Sequence, residues 1–302
     1  MSLRSQLRNT VLAAGLALTL ASPISSAETP DATSYTQFAA HTETSTFNVR
    51  YDPIMQFTDV FANEERGRLK IAYSAVSQQG DRFLNQYVNY LSNVPVTTLT
   101  RDDQLAYWLN TRNMLIVKAM ADTSSRRRVK QNRGTADDPG QMWTEKRITI
   151  DGVDLSIDDI ERGIILANWS DTPNVIYGLY QGSQGGTPFP ANGFSGATVH
   201  SELEEMGRKF VSSRNGVRVR RGKAQLPEIY SWYSDELFGG DQTAVVTHIS
   251  ALADADTANK LAAATSFDNR KFSYSSDEFI IRQQAAPAGA FGGGGGAVGG
   301  GS

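Results

Sequence analysis

The amino-acid sequence predicts an α+β fold, a helix-rich single domain with a small, mostly antiparallel sheet. Three observations carry that reading. Several segments place apolar side chains at helical spacing. Short alternating runs, one of them closed by Asp151-Gly152, have the form of strands joined by tight turns. Helices and strands do not follow one another in the strict alternation that a parallel sheet of βαβ units requires.

Residues 53–64 and 81–92 are the first expected helices. Ile54, Phe57, Val60 and Phe61 line one side of the first, and Phe83, Leu84, Tyr87, Val88 and Leu91 one side of the second. The strongest helix is "TRDDQLAYWLNTRNMLIVKAMA", where Thr100 and Asp103 form a capping-box pattern and Leu105, Trp108, Leu109, Ile116 and Met120 form the apolar stripe. A polar loop follows, then "KRITIDGVDLS" as a hairpin and "SIDDIERGIILA" as a second capped helix, with Ser156 and Asp159 as its box. "NVIYGLY" reads as a short buried strand and "TVHSELEEMGRKF" as an amphipathic helix. "VRVRR" alternates as a strand, and "LPEIYSWYSDELF" reads as a helix with Pro227 in its first turn.

The ends have a different character. Residues 1–27 have Arg4 and Arg8, an apolar run from Val11 to Leu20 and a small-residue Ser25-Ser26-Ala27 end, the three parts of a secretory signal peptide. The expected product is exported, periplasmic or extracellular, with no transmembrane span in the mature chain. Residues 28–46 read as a polar linker, 47–284 as the globular domain and 285–302 as a Gly-rich flexible tail. The formal net charge is −3 over 302 residues, which does not suit a nucleic-acid binder. Cysteine is absent, so disulfides, thiol catalysis and thiolate metal sites are all excluded.

"GLYQGSQGGTPFP", residues 178–190, is the most suggestive short stretch. Glycines after a hydrophobic run can let backbone amides wrap a phosphate. A phosphate loop would end in Gly-Lys-Ser/Thr, but Gly186 precedes Thr187-Pro188, and the next expected helix begins about ten residues later, near Thr198. A structural or substrate-lining loop fits better. Ser183 lacks the flanks of a nucleophile elbow. The three histidines, His41, His200 and His248, have no acidic or hydroxyl partner placed by spacing, and neither metal nor cofactor motif appears. Neighbouring acids such as Asp158-Asp159 point in different directions on a helix and read as capping residues. "RRRVKQNR", residues 126–133, reads as a solvated basic loop. Asn110 and Asn113 share a helix flank beside Trp108, where buried amides either pin a neighbouring loop or line a pocket.

Four segments, in order, resemble domain-of-unknown-function family 547: "LAYWLNTRN" (105–113), "LSIDDIERGII" (155–165), "GLYQGSQGGTP" (178–188) and "IYSWYSDELFGGD" (229–241). The resemblance covers residues 53–255, and the chain looks like a divergent bacterial exported member. In the family pattern cysteines stand where this chain has Gln181 and Gly186, histidine often stands at Arg162, and tyrosine at Arg112. The resemblance therefore implies a thiol-type site whose cysteine and histidine are both missing here. Glutamine forms no thiolate, and arginine is no general base. The expected role is a non-catalytic binding or envelope-associated domain, with an unidentified small molecule or envelope protein as partner. Its cleft would lie at the 181–189 loop and be lined by Asn110, Asn113, Glu161, Arg162, Gln181, Ser183 and Trp232, with Glu161 and Arg162 as an ion pair. The alternative is a hydrolase using Glu161 as acid or base, for which the glutamate pKa must be raised. A third reading is a scaffold tethered through its Gly-rich tail.

Overall fold

The helix Arg101–Asp122 is the spine of the molecule, buried on nearly every side from Gln104 to Val117. Such a helix must be wrapped by other elements all round. The computed structural model describes residues 32–123, 129–134 and 138–280; the expected signal peptide and Gly-rich tail lie outside the described residues. Thr100 caps the spine by accepting from the Asp103 amide at 3.2 Å, and its hydroxyl donates to the Asp103 carboxylate at 2.7 Å. Asp103 thus meets the Thr100 side chain, where the capping box expects it to take the Thr100 amide.

Helices Asp52–Phe61 and Asp81–Ser92 pack Ile54, Phe57, Leu84, Tyr87 and Leu91 into the core. The first is shorter than the sequence predicts. Ala62–Glu64 (β1) leaves the helix as a strand and pairs antiparallel with Leu69–Ile71 (β2). The turn between them has positive φ at both Arg66 (57°) and Gly67 (74°), as a two-residue hairpin requires. Residues 32–46 also depart from the expected linker. Ala32–Ala39 is a 3-10 helix whose Phe38 is fully buried, edge-on to Trp108 with ring centroids 5.1 Å apart.

The expected hairpin is present as Lys146–Ile150 (β3) and Val153–Ser156 (β4), with Asp151 (φ 48°) and Gly152 (φ 78°) in the turn. The reciprocal Ser156/Asp159 cap is present too. The Asp159 amide donates to Ser156 Oγ at 3.0 Å and the Ser156 amide to Asp159 Oδ2 at 2.7 Å. The helix that it opens, Asp159–Leu166, has the wider π-helical winding. "NVIYGLY" is not a strand. Val175, Ile176 and Tyr177 donate to carbonyls three residues back, making the helical turn Val175–Gly178. So short an apolar run has no period that separates strand from helix.

Val199–Ser212 is the amphipathic helix expected, with Val199, Leu203 and Phe210 buried and Met206 half-buried. Arg218–Arg220 (β5) pairs antiparallel with Lys223–Pro227 (β6), and Ser266–Arg270 (β7) joins β6 in parallel. Pro227 therefore closes a strand instead of opening a helix. The lost amide is tolerable at a strand end, and the helical turns begin only at Ile229–Trp232 and Ser234–Phe238. Among the described residues, no helix is long and apolar enough to cross a membrane.

Candidate functional site

The outer part of the loop after Gly178, residues 183–187, is held by Arg68 and by a returning segment. Arg68 on the rim of the β1–β2 hairpin points its guanidinium into the loop. It donates to Gly186 O at 2.7 Å, Ser183 O at 2.8 Å and Thr187 O at 3.3 Å, and its Nε meets both Asp277 carboxylate oxygens at 2.9 Å. Residues 273–277 run alongside and accept the Gln184 amide (2.8 Å) and the Gly185 amide (2.9 Å). Those amides are spent on protein carbonyls, so they cannot wrap a phosphate. The structural reading of this loop is the one its hydrogen bonds favour.

Behind the loop lies a buried ionic centre. Arg112, inside the spine helix, donates from Nε to Glu161 Oε2 at 2.9 Å and from Nη2 to the same oxygen. Its Nη1 reaches Tyr180 O at 2.8 Å and Asn113 Oδ1 at 2.9 Å. Tyr233 donates to the other carboxylate oxygen, Oε1, at 2.6 Å. Gln181 donates to Tyr233 Oη at 3.1 Å and to Leu179 O at 3.1 Å, while Arg133 Nε donates to Gln181 Oε1 at 2.8 Å. The Arg133 guanidinium sits over Trp143 and Trp232, 5.1 and 4.2 Å from the ring centres. Arg112 and Gln181 are 0 % exposed and Glu161 2 %, so the centre is closed to solvent.

Electrostatics follow from that packing. Burial alone would raise the Glu161 pKa, but the charges of Arg112, Arg133 and Arg162 and the Tyr233 hydroxyl outweigh it and hold the carboxyl at about 2. The raised value that the hydrolase alternative needs is absent. Tyr233 is pushed well above its usual range, first by burial and then by the Glu161 charge. Asp158, one turn away, is pushed up to about 7 by burial and by Glu161, against the pull of Arg162.

The seven expected lining residues divide into groups. Asn113, Glu161 and Gln181 belong to the buried centre, and the half-buried Trp232 meets it through the Arg133 guanidinium. Asn113 pins the incoming backbone, donating to Gly178 O at 2.8 Å and accepting from the Tyr180 amide at 3.2 Å. Asn110 pins another segment, donating to Phe194 O at 2.8 Å and accepting from the Phe194 amide at 2.9 Å. Both amides therefore follow the loop-pinning alternative. Ser183 is fully buried, and its hydroxyl has no hydrogen-bond partner among the described residues. Arg162 does not pair with Glu161. It pairs with Glu236 and lies 3.9 Å from Asp158, because Arg112 already occupies the Glu161 carboxylate from inside the core.

Sequence reasoning missed three parts of this arrangement. Arg133 was expected in a solvated basic run, yet it is 3 % exposed; residues 126–128 of that run lie outside the described residues. Tyr233 was passed over beside Trp232. Gly186 was noted only as a departure, but a Cβ there would stand 3.1 Å from the Cβ of Gln181. The two positions at which the resemblance places cysteines are therefore neighbours, and the missing side chain at 186 makes room for the long glutamine. The histidines also have partners that spacing hid: His200 Nε2 lies 2.9 Å from Asp102, and His248 Nε2 3.0 Å from the Tyr177 hydroxyl.

The outer face of the loop is open. Gln184 and Pro188 join the β1–β2 turn and the end of helix Val199–Ser212 around a cleft of about 790 Å³. Among the described residues, no group of three or more His, Cys, Asp or Glu side chains is placed to hold a metal ion.

Residues 96–211 match the family model described as "Protein of unknown function, DUF547". The matched stretch runs from five residues before the spine helix through β3, β4, the π helix and the loop into helix Val199–Ser212, and stops short of Tyr233. No curated protein and no solved structure matches the chain.

Proposed function

From the membership of residues 96–211 in the DUF547 family, we propose that this protein is an exported, non-catalytic binding domain of the cell envelope. In it the thiol-type centre implied by the resemblance is rebuilt as a closed structural core. One observation carries the reading: Gln181 is wholly buried and held by Arg133 and Tyr233, with the nearest carboxylate locked to Arg112. Catalysis needs a nucleophile, an acid or base titrating near the working pH, and room for a substrate. Gln181 is no nucleophile, a carboxylate held at about 2 is a poor base, and the centre admits no substrate. Binding is left to the outer faces. Export rests on the basic, apolar and small-residue order of residues 1–27.

The test has two parts. The purified chain is incubated with ester, amide and phosphate monoester substrates beside its Glu161→Gln variant. No turnover above buffer is expected from either; turnover lost in Glu161→Gln installs the hydrolase reading instead. N-terminal sequencing of the protein recovered from fractionated cells should begin near Glu28, outside the cytoplasm. A cytoplasmic chain still starting at Met1 removes the export claim.

A further inference from the structure

The β1–β2 hairpin puts an arginine where turn chemistry asks for asparagine or glycine. The first position of such a turn needs positive φ, and Arg66 adopts it at 57°. Backbone outliers of this kind cluster at ligand and active sites, and of the two such arginines, Arg66 and Arg221, Arg66 is the one that lines the cleft. Arg66 is exposed, lines the 790 Å³ cleft and has no acidic partner among the described residues. Its neighbours in the cleft are already matched: Arg68 by Asp277 at 2.7 Å and Lys70 by Glu65 at 2.7 Å.

The opposite wall is also cationic. Between Met206 and Pro227 the sequence carries seven arginines and lysines and no acid, in a chain whose net charge is −3. From this stretch Arg214 lines the cleft, again without an acidic partner among the described residues. Arg208 and Lys209 pair with Glu204 and Glu205, but the charge of Arg214 is felt nearby: Arg270, bonded to Arg214 O at 2.7 Å, has its pKa lowered by burial and then by the charges of Arg218 and Arg214. The cleft that both guanidinium groups line has an apolar part as well, made by Pro188, Met206 and Phe210.

We propose that this cleft binds a phosphorylated amphiphile, with a dianionic phosphate between Arg66 and Arg214 and a nonpolar body against Pro188, Met206 and Phe210. Guanidinium groups form paired, charge-assisted hydrogen bonds to phosphate oxygens, and two forks from separate segments match a dianion better than a singly charged carboxylate. The volume is that of a small-molecule site, not of a track for a polymer. This deepens the binding reading above by naming its ligand class. A lipid headgroup and a soluble phosphate ester offer the same chemistry.

The experiment uses the full mature chain and two probes: 1-naphthyl phosphate in calorimetric titration, and phosphatidylcholine vesicles with and without phosphatidic acid in co-sedimentation. Saturable binding to at least one probe is expected, with 1-naphthoate markedly weaker than the phosphate. Arg66→Asn with Arg214→Gln should weaken it by about a hundredfold, about tenfold for each lost charge-assisted contact. Because asparagine suits the turn, Arg66→Asn should leave the ligand-free melting point unchanged or higher. A soluble ligand is indicated by the ester alone binding, a membrane lipid by the vesicles alone. The proposal is overturned if neither probe binds, if naphthoate binds as well as the phosphate, or if the double variant binds like the parent. Release of naphthol would instead sink the non-catalytic reading and leave the cleft assignment standing.

Discussion

Arg112 and Glu161 meet inside the core, with Nε 2.9 Å from Oε2 and neither side chain more than 2 % exposed. A buried pair of this kind need not add much to stability, but removing one member strands the other charge. Glu161→Ala should therefore cost about 3–5 kcal/mol in urea denaturation. Arg112→Met combined with Glu161→Leu should recover most of that loss, since both charges then leave together. A double variant as unstable as Glu161→Ala would show that the pair itself is indispensable.

Gln181→Cys would return a thiol to the centre. That position is 0 % exposed, so a thiol reagent should label it only as fast as the protein unfolds, and guanidinium chloride should accelerate labelling in step with loss of structure. The adjacent Arg133 favours the thiolate, so slow labelling would report burial and not a weak nucleophile. Immediate labelling in buffer would mean the centre opens to solvent.

Gly186→Ala tests how the glutamine is accommodated. The new Cβ would stand 3.0 Å from Gln181 Cγ, tighter than ordinary contact. The variant should lose about 1–3 kcal/mol through overpacking, and Gln181→Ala in the same chain should relieve part of the loss. Additive losses would separate the two positions.

Stability should vary with pH through two opposing groups. Asp158 titrates at about 7 in the fold and at about 3.9 in an unfolded chain. The folded state holds the extra proton in between, so this group lowers stability as pH rises through that window. His248 is pushed down to about 4 by burial, against about 6.5 unfolded. Here the unfolded chain takes the proton first, so stability falls as pH drops from about 6.5 to about 4. The two slopes offset each other there. Asp158→Asn should expose the acid-side fall, and His248→Gln the decline towards neutral pH, in melting points measured from pH 4 to 8. Parallel curves for the parent and Asp158→Asn would refute this account. Below about 4 the locked Glu161 adds its own acid loss, because its folded pKa lies under the unfolded value.

Local signals in the sequence placed much of this molecule. Asp151-Gly152, the Ser156/Asp159 box and the Thr100 cap each act within a few residues, so spacing exposes them. The two asparagines were legible as buried amides, and their partners at Gly178, Tyr180 and Phe194 were not, because those lie more than 60 positions along the chain. Arg133 looked like a member of a basic run because sequence shows its neighbours and not Trp143 and Trp232. Glu161 and Arg162 looked like partners because they adjoin; consecutive helical residues face apart, which is why Glu161 found Arg112 and Arg162 found Glu236. Pro227 misled because a first helical turn and a strand end both dispense with its amide.

The last described residues close over the first elements. The Ile71 amide donates to Asp277 O at 3.2 Å, the Phe279 amide to Ile71 O at 2.9 Å, and Asp277 receives Arg68. A polypeptide emerges N-terminus first, so the clamp on residues 182–187 cannot form until residues 273–277 have left the ribosome or a translocation channel. Until then Arg68 lacks its carboxylate and the backbone behind Gln184 lacks its neighbour. The loop thus waits for a segment made some ninety residues after it. A premature stop before Asp277 should yield a chain that degrades readily, although every residue of the family segment is intact.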